Sequence, residues 1–189
     1  MTTLIAGLIL FLGVHSLSIV NEPLRNRLSA AMGEWPFKGV YSLISLVGLI
    51  LIVYGYDAAR MAPTVIYTSP GWLKHLALLL LLPVLPLLLA TYLPGKIKAK
   101  VGHTTLTAVK FWAVAHLLVN GMLHDLLLFG AFLAWAVVDR ISMKRRTQRA
   151  IPTLPANKAN DVIAVVAGLA LYVVLLLGAH QWLFGVAPI

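Results

Sequence analysis

Cysteine is missing from all 189 residues. That excludes disulfides, thiolate-ligated haem, Cys-ligated iron–sulfur clusters and covalent haem attachment through a CxxCH motif. Any metal or haem iron must be held by His, Met, Tyr or a carboxylate. Acidic residues are scarce too: six in all, at the ends of apolar runs or in loops. No paired carboxylates suited to hydrolysis occur, and none sits mid-run, where proton-coupled transporters often carry one. A phosphate-binding loop, an HExxH zinc motif and a GxSxG nucleophile elbow are all absent. Charged residues make up only 11%, against about 25% in a soluble domain.

What is present is apolar. Hydrophobic residues reach 60% and the mean hydropathy is +0.91, too high for a soluble core and suited to a bilayer. A helix needs about 20 mostly apolar residues to cross the hydrocarbon. Six runs approach that length, at about 4–20, 39–56, 72–93, 104–121, 122–141 and 162–184. The expectation is an all-α polytopic membrane bundle of six transmembrane helices in a single domain, 1–189. The first run has no Lys or Arg ahead of it and no small-residue cleavage site, so it reads as a retained span. Pro83 and Pro86 should kink the third. Asn120-Gly121 should form a tight turn between the fourth and fifth, with Gly121 free to take positive φ.

The net charge of +9 does not point to nucleic acid, because the basic residues fall between apolar runs. The first, third and fifth loops hold twelve of the fifteen lysines and arginines. By the positive-inside rule those loops are cytoplasmic and both termini lie outside. Tyr54, Tyr56, Tyr67, Trp72 and Trp182 then fall near the outer interface, where aromatic belts form. The basic run from Arg140 to Lys158 reads as a topology signal in contact with anionic lipid.

Six histidines are present. His75, His124 and His180 lie near span ends and call for no special role. His15 and His116 are embedded in apolar helix, where polar groups are costly and tend to mark function. Two such histidines on different helices can clamp haem b from opposite faces. Trp112, His116 and Asn120 recur every four residues and would share one helical stripe, which His124 would extend. The same stripe could equally be interhelical hydrogen-bonding glue. His103 is thirteen residues from His116 and projects to the other side of a helix, so the two are not expected to share a ligand. Depth leaves the pairing open: His15 with His103 is the rival to His15 with His116.

Several stretches resemble the NnrU family of bacterial membrane proteins. They are His15-Ser16, the Pro94-Gly95-Lys96-Ile97 turn, the run from Val109 to Gly121, Leu126 to Gly130, and Asp139-Arg140-Ile141-Ser142. The likeness covers essentially the whole chain. It implies a multi-pass protein of the bacterial inner membrane with periplasmic termini, in the context of nitrogen-oxide reduction. The family is in turn similar to plant ζ-carotene isomerase, a haem b membrane enzyme whose iron is held by two histidines. The isomerase pattern of Arg-His-Pro followed by Trp-Cys-Leu-Ala-His aligns with His103, Trp112 and His116, and the other ligand with His15. Two positions depart. Gly102-His103-Thr104 replaces Arg-His-Pro, and Ala113 replaces the cysteine, which puts a redox-dependent ligand switch in doubt.

The resemblance implies haem b on His15 and His116. Trp112, Asn120, His103 and Lys110 are expected around it, membrane lipid and an apolar polyene as partners, and a homo-oligomer is compatible with it. A non-enzymatic membrane factor supporting denitrification reductases and a small-molecule permease are the competing functions.

Overall fold

The computed structural model describes residues 1–147 and 149–188. Among them the chain is helical: α1 (Thr2–Val20), α2 (Glu22–Met32), α3 (Glu34–Arg60), α4 (Leu73–Leu81), α5 (Val84–Tyr92), α6 (Lys96–Val101), α7 (Thr104–Val119), α8 (Leu123–Ser142), α9 (Asn160–Val174) and α10 (His180–Phe184). The segment Leu175–Ala179, kinked at Gly178 with φ 153°, joins the last two. The packing divides the chain into two compact units, Met1–Ser69 with Val119–Gln148, and Pro70–Leu118 with Arg149–Ile189.

Four helical segments are long and apolar enough to cross a membrane: Thr2–Val20, Glu34–Arg60, Leu73–Tyr92 and Asn160–Phe184. The other two expected spans fall short on different grounds. Helix α7 is apolar but has only 16 residues. Helix α8 has 20 residues but carries Asp125, Asp139 and Arg140. Both helices exist where the hydropathy placed them, while their crossing of the bilayer does not follow from length and composition alone.

In the first unit, α1 and α3 pack backbone to backbone. Leu4, Leu8 and Ile52 are buried between them, with Phe132 and Leu128 of α8 against the cluster. Glycine makes the approach possible. A Cβ on Gly7 would lie 2.6 Å from the Ile52 amide, one on Gly48 would lie 2.8 Å from the Phe11 amide, and one on Gly55 would collide with the Leu4 backbone. Small residues at a helix crossing are the usual device where apolar burial gives no net drive between helices in lipid. Helix α2 occupies the segment that hydropathy leaves as a loop. The Asn21 side chain caps it by accepting from the Leu24 amide at 2.9 Å, and Pro23 sits in its first turn, where a missing N–H is harmless.

The Asn120-Gly121 break is present, but its chemistry differs from expectation. Gly121 has no positive φ. Its carbonyl instead accepts two amides, from Ile66 at 2.8 Å and Tyr67 at 3.1 Å, while Leu123 donates to the Thr64 carbonyl at 2.8 Å. Val65 and Met122 form an antiparallel bridge. A side chain on Gly121 would run into the Tyr67 carbonyl. Glycine is required here by close approach, not by dihedral.

In the second unit, α5 packs on α9 with Gly168 against Pro86, where a Cβ would meet the proline backbone. The proline kink is real and sits at Leu82-Pro83, between α4 and α5. Pro83 has no N–H to offer the Leu79 carbonyl, so the Leu82 amide turns to it at 3.3 Å. The released Leu78 carbonyl accepts from the Tyr172 hydroxyl at 2.9 Å. Pro86 lies in the first turn of α5 and breaks nothing. The Pro94-Gly95 turn is closed by the start of α9. Asp161 accepts from the amides of Lys96 at 2.8 Å and Ile97 at 3.0 Å, and Asn160 donates to the Pro94 carbonyl at 2.9 Å.

Candidate functional site

His15 lies on α1 inside an aromatic enclosure. Phe11 stacks on it with ring centroids 4.3 Å apart, and Tyr41 and Trp135 meet it edge-on at 5.1 and 6.1 Å. Its Nδ1 is 2.7 Å from the Phe11 carbonyl. A carbonyl only accepts, so Nδ1 carries the proton and Nε2 keeps the lone pair in the neutral ring. That is the tautomer a metal-ligating histidine uses, its other nitrogen anchored to a carbonyl. Beside it, the buried Trp135 indole N–H finds no partner among the described residues.

His116 repeats this arrangement on α7. Its Nδ1 is 2.8 Å from the Trp112 carbonyl, and the Trp112 ring lies 5.3 Å from the imidazole. Trp112 also packs on the apolar cluster of Val84, Leu87 and Ala108 in the second unit. Both histidines are half-buried. The geometry is not unique to them, since His180 makes the same bond to the Val186 carbonyl at 2.7 Å. Lys110 is half-buried on α7. His103 precedes that helix, and its carbonyl accepts from the Thr107 amide at 3.0 Å. Thr104, which stands where the isomerase pattern has proline, is buried with its hydroxyl 2.8 Å from that of Thr91.

Two expectations need correction. Helix α7 ends at Val119, so Asn120 does not continue the Trp112–His116 stripe and His124 does not extend it. The Asn120 carbonyl instead accepts from the Tyr67 hydroxyl at 2.9 Å. Tyr67 lies outside the helices, and burial, with the charge of Asp125 second, holds its phenol above the ordinary value. It therefore stays a donor at neutral pH. The second correction is His124. It lies near an end of α8, yet it is the one histidine among the described residues that is buried, at 4% exposure, beside an equally buried Asp125.

Asp125 organises this missed cluster. It accepts from the Tyr56 hydroxyl at 2.5 Å and from the Met122 amide at 3.2 Å. The Tyr56 ring meets His124 edge-on at 5.1 Å, and His124 Nδ1 is buried without a partner among the described residues. Tyr56 is thus a donor inside the first unit. Tyr54, at 71% exposure, and Trp182, at 84%, remain on the surface as a belt requires. Tyr56→Phe leaves a buried carboxylate short of one hydrogen bond and is expected to lower stability by about 1–3 kcal/mol. Thermal unfolding in detergent measures it, and a Tyr56→Phe protein as stable as the parent would contradict the bond.

Among the described residues, no three of His, Asp and Glu come together to hold a bare metal ion. Over residues 3–188, nearly the full length, the sequence matches the family model described as NnrU protein. The chain belongs to the NnrU family. No curated protein and no solved structure matches it. The Pro94–Ile97 turn is the one that Asn160 and Asp161 close, and Asp139 is buried in an ion pair with Arg146 at 2.5 Å. These two stretches therefore have structural duties.

Proposed function

We propose that this NnrU protein binds haem b through His15 and His116 in the bacterial inner membrane. The observation that carries the proposal is the shared tautomer. Each ring sits on an apolar helix with Nδ1–H tied to the carbonyl four residues back, which leaves Nε2 as the ligating nitrogen. The donor set fits the group: neutral imidazole, aromatic surroundings, and a Trp135 indole N–H near His15 that has no partner among the described residues. Bound haem would supply one-electron chemistry or Lewis acidity toward an apolar polyene, or redox chemistry linked to nitrogen oxides. The protein's own part is to hold the imidazoles in orientation and exclude water. An open apolar groove of about 470 Å³ at the α4–α5 kink, bordered by Leu79, Pro83, Pro86, Leu87, Ile97 and Leu169, is compatible with a polyene. It shares Leu87 and Ile97 with the cluster that seats Trp112.

In this proposal α7 and α8 complete six crossings, and both termini are periplasmic, as the basic residues of the odd loops require. The test is the optical spectrum of protein expressed with a haem supply. The parent should show a Soret band and a reduced α-band. His15→Ala and His116→Ala should each lose the haem or turn it five-coordinate, while His75→Ala and His180→Ala should leave the spectrum unchanged. His124→Ala is not a clean control, because it empties a buried position. A colourless parent, or a native spectrum in His116→Ala, returns both histidines to interhelical packing. That result would favour a non-enzymatic membrane factor.

A further inference from the structure

Helix α2 is amphipathic in an unusual sense: its apolar side faces away from the protein. At about 100° per residue, Leu24, Leu28, Ala31 and Met32 share an arc of roughly 100°. Arg27 lies just beyond one edge of that arc and Arg25 just beyond the other. Glu22, Asn26 and Ser29 lie opposite. No residue of α2 is buried, and Leu24, Leu28 and Met32 are 42%, 38% and 40% exposed. The half-buried positions are Glu22, Arg25 and Ser29, all on the polar arc. Helix α2 therefore packs on its neighbours α1 and α3 with its polar edge. In water this orientation would be inverted.

The position of α2 says what covers the apolar arc. Only Asn21 separates it from the end of α1 and only Gly33, at φ 84°, from the start of α3, and both flanking helices are membrane spans by length and composition. The helix is thus held at the depth where those spans end. Trp35, 80% exposed in the first turn of α3, with the Lys38 ammonium 5.1 Å from its ring, has the character of an interfacial anchor. Arg25 is seated over the Phe37 ring at 4.8 Å, and Arg27 is exposed. Cations flanking an apolar stripe match an anionic headgroup layer above acyl chains. A stripe of four side chains is also far short of the roughly 1,200 Å² that a stable protein interface buries.

We propose that α2 is a surface-lying membrane helix, with Leu24, Leu28 and Met32 in the acyl boundary and Arg27 paired to anionic lipid headgroups. The cysteine-free chain allows single-site labelling without background. Full-length protein carrying a nitroxide at Leu24→Cys, Leu28→Cys, Met32→Cys, Asn26→Cys or Ala30→Cys is reconstituted in two kinds of vesicle. One is an equal mixture of phosphatidylglycerol and phosphatidylcholine, the other phosphatidylcholine alone. In the mixed vesicles the first three labels should collide several-fold more with oxygen than with a water-soluble nickel chelate, and the last two should do the reverse. The Leu28 label should move outward in phosphatidylcholine alone, and to the same extent when Arg27→Gln is added in the mixture. A Leu28 label as open to nickel as the Asn26 label would overturn the membrane placement. So would protection from both reagents with broadening between labels, which signals a second copy of the chain. Indifference to both phosphatidylglycerol and Arg27→Gln would overturn the pairing with anionic headgroups.

Discussion

Arg146→Ala is expected to remove about 3–5 kcal/mol from the stability of the unit that holds α8. Asp139 is only 5% exposed and its one charged partner among the described residues is the Arg146 guanidinium, at 2.5 Å. The Ser142 hydroxyl adds a longer bond at 3.4 Å, too weak to neutralise a carboxylate. Truncating the arginine leaves a desolvated anion, and that imbalance, more than the lost pair, sets the size of the effect. Asp139→Asn in the Arg146→Ala background should recover a large part of the loss, because a neutral amide tolerates the site. Thermal unfolding of the two variants in one detergent decides it. Equal melting temperatures for parent and Arg146→Ala would mean that the pair is a surface contact of little worth.

Gly55→Leu should separate α1 from α3, at a loss of about 3 kcal/mol or more, the upper end of what overpacking does. Its Cβ would land on the Leu4 backbone, which no side-chain rotamer can relieve. The Cβ of any residue at Gly7 or Gly48 meets backbone in the same way, so the three glycines form one seam. Gly13 in α1 has nothing within 4 Å of an added Cβ. Gly13→Ala should therefore be neutral or stabilising by about 0.5–1 kcal/mol, since glycine weakens a helix interior. Unfolding of both variants, monitored by helical signal, checks the contrast. A Gly55→Leu protein that melts with Gly13→Ala would show that α1 and α3 do not approach as closely as described.

Hydropathy located every long helix, because a run of apolar residues is a local property. The kink near Pro83 was legible for the same reason: a missing N–H is written in one residue. Partners distant in sequence were not. The sequence marks Gly121 as a turn, yet the reason for glycine is the Tyr67 carbonyl, more than fifty residues away. His124 and Asp125 look like span-end residues until Tyr56, 69 positions upstream of Asp125, is set against them. Helix α2 escaped notice because its eleven residues are too few and too mixed to raise a hydropathy window. The stripe at Leu24, Leu28 and Met32 and the Asn21 cap were the signals that a helical reading of that loop needed. For the candidate ligands, the sequence supplied the residues, and the structure adds the tautomer that each ring adopts.

The Pro94–Gly95 turn has a consequence for how the chain is made. The amides of Lys96 and Ile97 that follow it wait for Asp161, and the Pro94 carbonyl waits for Asn160, residues translated more than sixty positions later. Until that part of α9 is made, the bend has neither of these partners to close it. The bend is therefore closed only once the start of α9 has been made, and Asn160 and Asp161 act as its latch.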